Sequence, residues 1–160
     1  MSFTKTTIKT TILFLIVCIV TLNDLLAQDV SDIKSLVENQ NYFFIAQTAL
    51  PSTGSSRQLS PDYTVKVSKD TIISDLPYFG RAYSAPIGKL DGGIKFTSNN
   101  FVYKKEVHKK GGWDILIEPK DVREVQQLSF SISENGYATL RVISTNRQAI
   151  SFYGYIKGEK

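Results

Sequence analysis

The residues best suited to chemistry in this chain lie where its last third alternates in steps of two. Along the expected strands at about 125–133, 137–145 and 149–157, the odd-numbered positions are Ser129, Ser131 and Ser133, then Tyr137, Thr139, Arg141 and Ile143, then Ser151, Tyr153 and Tyr155. A solvated strand face ordinarily carries lysine and glutamate. Here hydroxyls surround one guanidinium and three tyrosines. A guanidinium offers a planar fork of donors that matches a carboxylate, and hydroxyls beside tyrosine rings suit a sugar. Arg141, Tyr137, Tyr153 and Tyr155 are therefore candidate ligand-binding residues. The competing reading is that Tyr and Thr simply suit a half-exposed sheet or pack against a helix.

A second candidate is Leu76-Pro77-Tyr78-Phe79-Gly80. Adjacent aromatics in an extended segment point to opposite sides, so one of Tyr78 and Phe79 can be buried while the other meets a partner. The alternative is a turn anchored in the core. Catalytic groupings are thin. His108 is the only histidine, and the only cysteine, Cys18, lies near the N-terminus. A His/Cys zinc site is thus excluded, and a Ser-His-Asp triad has one possible histidine. The pairs Asp114 with Glu118 and Asp121 with Glu124 read better as surface charge than as acid-base machinery. Gly92-Gly93 and Gly111-Gly112 lack a phosphate-loop pattern. No cofactor or metal is expected. Lys104, Lys105, Lys109 and Lys110 flank Phe101, Tyr103 and Trp113, as in an oligonucleotide platform. Alternation turns those rings inward, however, so no nucleic-acid partner is expected.

These side chains need strands to hold them, and the turns test whether the strands exist. Leu128, Phe130 and Ile132 must share a face with Ala138, Leu140 and Val142, which requires a loop with an odd number of residues. Glu134-Asn135-Gly136 supplies one, with Gly at the left-handed position of a three-residue hairpin. Leu140 and Val142 must then meet Ile150, Phe152 and Ile156, and a loop through Thr145-Asn146-Arg147 with Asn146 left-handed would allow it. Upstream, Tyr63, Val65 and Val67 alternate into a Lys69-Asp70 turn and Thr71-Ile72-Ile73. Phe101, Tyr103 and Val107 share a face, and Trp113, Ile115 and Ile117 continue the pattern. Tyr42–Ala46 reads as a strand, 51–61 as a polar loop, and Asp75–Gly93 is unassigned. Ser31 caps an expected helix over about 31–39, with Ile33, Leu36 and Val37 on one face. The spacing predicts a mainly β fold, bordering on α+β. It is an antiparallel sheet curved into a barrel or sandwich, with one short N-terminal helix.

Residues 1–27 read as a signal peptide. Lys5 and Lys9 precede an apolar run from Ile12 to Leu22, too short to span a bilayer, and Ala27 offers a small residue before Gln28. Valine before Cys18 argues against a lipid anchor. The exported part, 28–160, is expected to be a single domain without cysteine, with no transmembrane segment. The formal charge of +4 for the whole chain drops by one with the leader, too little to indicate a polyanionic partner.

Four stretches carry a family resemblance: Leu76-Pro77-Tyr78-Phe79-Gly80-Arg81-Ala82-Tyr83, Asp91-Gly92-Gly93-Ile94-Lys95-Phe96, Asn135-Gly136-Tyr137-Ala138-Thr139-Leu140 and Asn146-Arg147-Gln148-Ala149-Ile150-Ser151-Phe152-Tyr153-Gly154. They resemble the domain-of-unknown-function family 4251 of Bacteroidetes, over essentially the whole of the chain after the leader. The resemblance implies a small exported or envelope-associated bacterial domain and carries no activity to any residue. The combined expectation is a periplasmic, outer-envelope or secreted module that binds a small ligand or glycan without catalysis. A protein-interaction or structural role in the envelope is the alternative, and a hydrolase the third reading.

Overall fold

The period of two becomes ten antiparallel strands in the computed structural model, which describes residues 32–81, 92–109 and 111–159. A helix, α1, spans 32–38. The strands are β1 (Tyr42–Pro51), β2 (Arg57–Gln58), β3 (Thr64–Val67), β4 (Ile72–Leu76), β5 (Ile94–Ser98), β6 (Phe101–Val107), β7 (Trp113–Pro119), β8 (Val125–Ile132), β9 (Tyr137–Ser144) and β10 (Ile150–Lys157). Their order in the sheet is β5-β4-β3-β1-β10-β9-β8-β7-β6, with β2 added on β1. The sheet curls until it nearly closes, leaving a seam between β5 and β6. The expected leader at 1–27 lies outside the described residues, as do 82–91 of the resembling stretches.

Both C-terminal registers follow the parity argument. Ser129 faces Arg141 and Phe130 faces Leu140 across β8–β9, and Ile150 faces Val142 across β9–β10. Gly136 has φ 83°, the left-handed conformation that a Cβ disfavours. The second turn differs from expectation. Asn146 is not left-handed, and residues 145–149 stand outside the ladder as a wider loop. Three attachments open it. Thr145 donates through its hydroxyl to the Arg123 carbonyl, the Gln148 amide donates to Arg81, and Arg147 donates to the carbonyls of Gly92 (2.6 Å) and Gly93 (3.0 Å).

Alternate side chains fill the interior. Tyr42, Phe44, Val65, Ile72, Ile117, Leu128, Leu140 and Phe152 are completely buried. Phe130 packs edge-on against Tyr42 (6.3 Å) and Phe44 (5.7 Å), joining β8 to β1 across the core. At one end α1 seats Ile33, Leu36 and buried Val37 against this cluster. Its last turn closes with Gln40 at φ 52°, while Asn41 N–H bonds to Leu36 and Gln40 N–H to Val37. This is a Schellman closure with glutamine where glycine is usual. The inward pattern fails at the end of β6, where Val107 is 68% exposed. The phenols of Tyr42 and Tyr103 lie near enough to affect each other's ionisation, and burial pushes both pKa values up. Neither hydroxyl has a hydrogen-bond partner among the described residues.

The corner between β5 and β6 is held by Asp121. Its carboxylate accepts from the Ser98 hydroxyl (2.5 Å) and from the backbone N–H of Asn99 (2.8 Å) and Asn100 (3.2 Å). The Ser98 hydroxyl bond, and next the Asn99 amide, hold its pKa below the ordinary value. A carboxylate with a depressed folded pKa contributes stability above its unfolded pKa and loses it as pH falls through the folded value. The advantage of the wild type over Asp121→Asn is therefore expected to hold at neutral pH and to shrink below about pH 4. Melting temperatures of both proteins across an acid series measure this.

Candidate ligand-binding face

The register turns the outer surface of β6–β10 into a grid. One row runs Lys104, Leu116, Ser129, Arg141, Ser151 from β6 to β10. The next runs Glu106, Asp114, Ser131, Thr139, Tyr153. Inward neighbours such as Phe130 and Leu140 are buried, so the odd-numbered side chains of β8–β10 stand on the outside as alternation requires.

Two adjoining depressions of about 460 Å³ each lie on this face and share Ser131 and Thr139. Arg141 borders the first, with Ser129 beside it and Lys104, Glu106 and Asp114 on the far bank. The guanidinium makes no hydrogen bond or ion pair among the described residues. Ser129 accepts from the Gln127 amide at 2.6 Å, while the hydroxyls of Ser131 and Thr139 make no hydrogen bond among the described residues. An arginine held over free hydroxyls has every donor available to an incoming oxyanion.

Tyr137 and Tyr153 border the second depression, 62% and 52% exposed. They sit diagonally across β9 and β10, since Tyr153 faces Thr139 and Tyr137 faces Tyr155. Diagonal neighbours of this kind are within reach of each other's rings. Tyr155 lies half-buried between Tyr137 and Ile45 of β1, so it supports the rim more than it meets solvent.

Tyr78 and Phe79 lie elsewhere, after β4, and border neither depression. The Tyr78 hydroxyl donates within a cage formed by the carbonyls of Arg81 (2.9 Å) and Gln148 (3.1 Å), and Arg147 covers its ring at 5.1 Å. Phe79 lies under Arg57 at 4.7 Å. Both rings are half-buried and pack on the core.

The acidic pairs separate in the same manner. Asp114 meets His108 Nε2 at 2.6 Å. Glu118 accepts from Lys120 (2.8 Å) and has Lys104 at 3.9 Å, and the Lys120 bond is the main cause of its lowered pKa. Asp121 is occupied by the corner. No grouping of His, Cys, Asp and Glu suited to a metal exists among the described residues. Sequence reasoning named Lys104 and Asp114 only in other groupings and passed over Glu106, so it missed that the three form the far bank of the depression. Continuing the parity argument from β8 through Trp113–Pro119 to Phe101–Val107 would have found it, because each hairpin preserves the rows.

The family model for "Domain of unknown function (DUF4251)" matches residues 25–156. A solved structure of a DUF4251 family protein from Bacteroides eggerthii DSM 20697 superposes with a TM-score of 0.66 at 15% identity. The match covers 82% of this chain and 89% of that one. Identity this low speaks for the fold alone. No curated protein matches the chain.

Proposed function

The chain belongs to the DUF4251 family, a membership that assigns no activity, and we propose that it is an exported, non-enzymatic binding module of the cell envelope. Its ligand is a small carboxylate-bearing molecule or an acidic glycan, taken on the outer face of β7–β10. The observation that carries this reading is Arg141, a guanidinium without a partner among the described residues, set above unengaged hydroxyls in a depression large enough for a small molecule. Arg141 holds the oxyanion, Ser131 and Thr139 meet neighbouring polar atoms, and Tyr137 and Tyr153 offer ring faces to the remainder. The apolar run of 12–22 after Lys5 and Lys9 supports export to the periplasm or beyond.

A thermal-shift panel of envelope glycans, fatty acids, bile acids and small carboxylates tests this. A ligand at a hundred times its dissociation constant adds about 2.7 kcal/mol of stability. The expected result is a carboxylate-dependent rise in melting temperature that disappears in Arg141→Ala. No rise across the panel, or a rise unchanged in Arg141→Ala, would refute the proposal.

A second reading rests on β6, whose residues Phe101–Val107 pair with β7 on one side and with no strand on the other among the described residues. A free edge is a template for another chain's strand. Lys104 and Lys105 lie along it, as on edges guarded against such pairing, so this reading ranks second.

A further inference from the structure

The ionic side chains around the first depression are matched unequally. Asp114 is taken by His108, and Lys104 has Glu118 nearby. Two lining residues make no ion pair among the described residues: Arg141 on β9 and Glu106 on β6. They cannot satisfy each other. Three strand spacings separate β9 from β6, roughly 14 Å between backbones, and Glu106 lies one row over from Arg141. Side chains stand roughly perpendicular to a sheet, so the two charges are set about as far apart as their backbones. Leu116 and Asp114 on β7 and Ser129 and Ser131 on β8 lie between them, with Thr139 beside Arg141 on β9.

We infer that the depression is built for a short zwitterionic peptide, its carboxylate on Arg141 and its ammonium on Glu106. This rests on the Arg141 reading above and adds the opposite pole. A charge-assisted hydrogen bond takes about 3 Å at each end and an extended residue spans at most about 3.5 Å, so two or three residues bridge the remainder. Amide groups of such a ligand meet the hydroxyls of Ser131 and Thr139, and a small side chain covers Leu116. A simple anion would satisfy Arg141 and leave Glu106 unmatched. A simple amine would do the reverse.

Calorimetry on the full chain with trialanine, N-acetyl-trialanine, trialanine amide and succinate separates these cases. Removing either charge-assisted hydrogen bond should weaken binding by about ten-fold. Trialanine is expected to bind the wild type about ten-fold more tightly than either blocked form. In Glu106→Gln the N-acetyl form should bind as well as trialanine, and in Arg141→Ala the amide should do so. Both residues are on the surface, and unchanged melting temperatures will show that the variants fold. If N-acetyl-trialanine binds the wild type as tightly as trialanine, or if succinate alone binds, the zwitterion is overturned while the Arg141 anion site stands. If none of the four binds, both fall together.

Discussion

Gly154→Ala is expected to destabilise the protein by at least about 3 kcal/mol, the upper end of what overpacking ordinarily costs. Gly154 lies in β10 opposite Ala46 of β1, immediately before the register shift that leaves Gln47 as an extra residue. A Cβ there would lie 1.9 Å from the Ile45 carbonyl oxygen, 2.9 Å from its carbon and 3.1 Å from the Phe44 ring. The obstacle is backbone, so no side-chain rotation relieves it. The location raises the cost. Among the described residues, pairing of β1 with β10 is the only link in the sheet between β5-β4-β3-β1 and β10-β9-β8-β7-β6, so the two strands must separate where the halves are joined. Urea unfolding measures the loss. Gly92→Ala is the control, since nothing lies within 4 Å of its added carbon and such changes stay within about 0.5 kcal/mol. Equal stabilities for the two variants would show that β1 and β10 do not approach as described.

Phe130→Ala should cost about 3–5 kcal/mol, as for a buried aromatic cut to a methyl. Phe130 is 2% exposed, and its ring is the piece that Tyr42 and Phe44 both meet edge-on. Strands β8 and β1 are not neighbours in the sheet, so these ring contacts run through the interior and not along a ladder. Removing the ring leaves a cavity between rigid walls, which collapses poorly. Urea unfolding of Phe130→Ala and Phe130→Leu checks the assignment. Leucine should recover part of the loss, and a cost near zero for alanine would mean that the interior is not packed around this residue.

The C-terminal meander was legible because two local signals agreed there. The even-numbered apolar residues of 128–132, 138–142 and 150–156 demanded odd loops, and Gly136 marked one of them. The family resemblance pointed to the same domain, and the family model matches nearly all of it. Where the sequence misled, a tertiary contact had overridden a local preference. Asn146 looked like a left-handed turn residue, but attachments to Arg81, Gly92, Gly93 and Arg123 spread that loop. Strand β2 is two residues long and carries no periodicity, so it was hidden in the expected polar loop. The break after Ala46 is equally silent, since neither Gln47 nor its neighbours has a composition that calls for a bulge. Asp121 shows the limit for polar residues: beside Glu124 it read as surface charge, and only the fold reveals Ser98 and two amides converging on it.

The candidate face divides along the same line. Arg141, Tyr137, Tyr153 and Tyr155 were found because strand parity alone decides which way a side chain points. Tyr78 and Phe79 follow no such rule, for Pro77 and Gly80 break the periodicity on either side. Their surroundings are set by Arg57, Arg147 and Gln148, remote in sequence. Glu106 was hidden among lysines, and its lack of an ion pair among the described residues emerges only once β6 is placed three strands from β9.

Amide chemical shifts of the isotope-labelled protein during a titration with succinate test the central claim most directly, because they locate even weak binding residue by residue. The account predicts saturable shifts centred on Ser129, Ser131, Thr139 and Arg141, absent in Arg141→Ala. Shifts confined to the neighbourhood of Tyr78 and Phe79 or to β6, or none up to high succinate concentration, would contradict it.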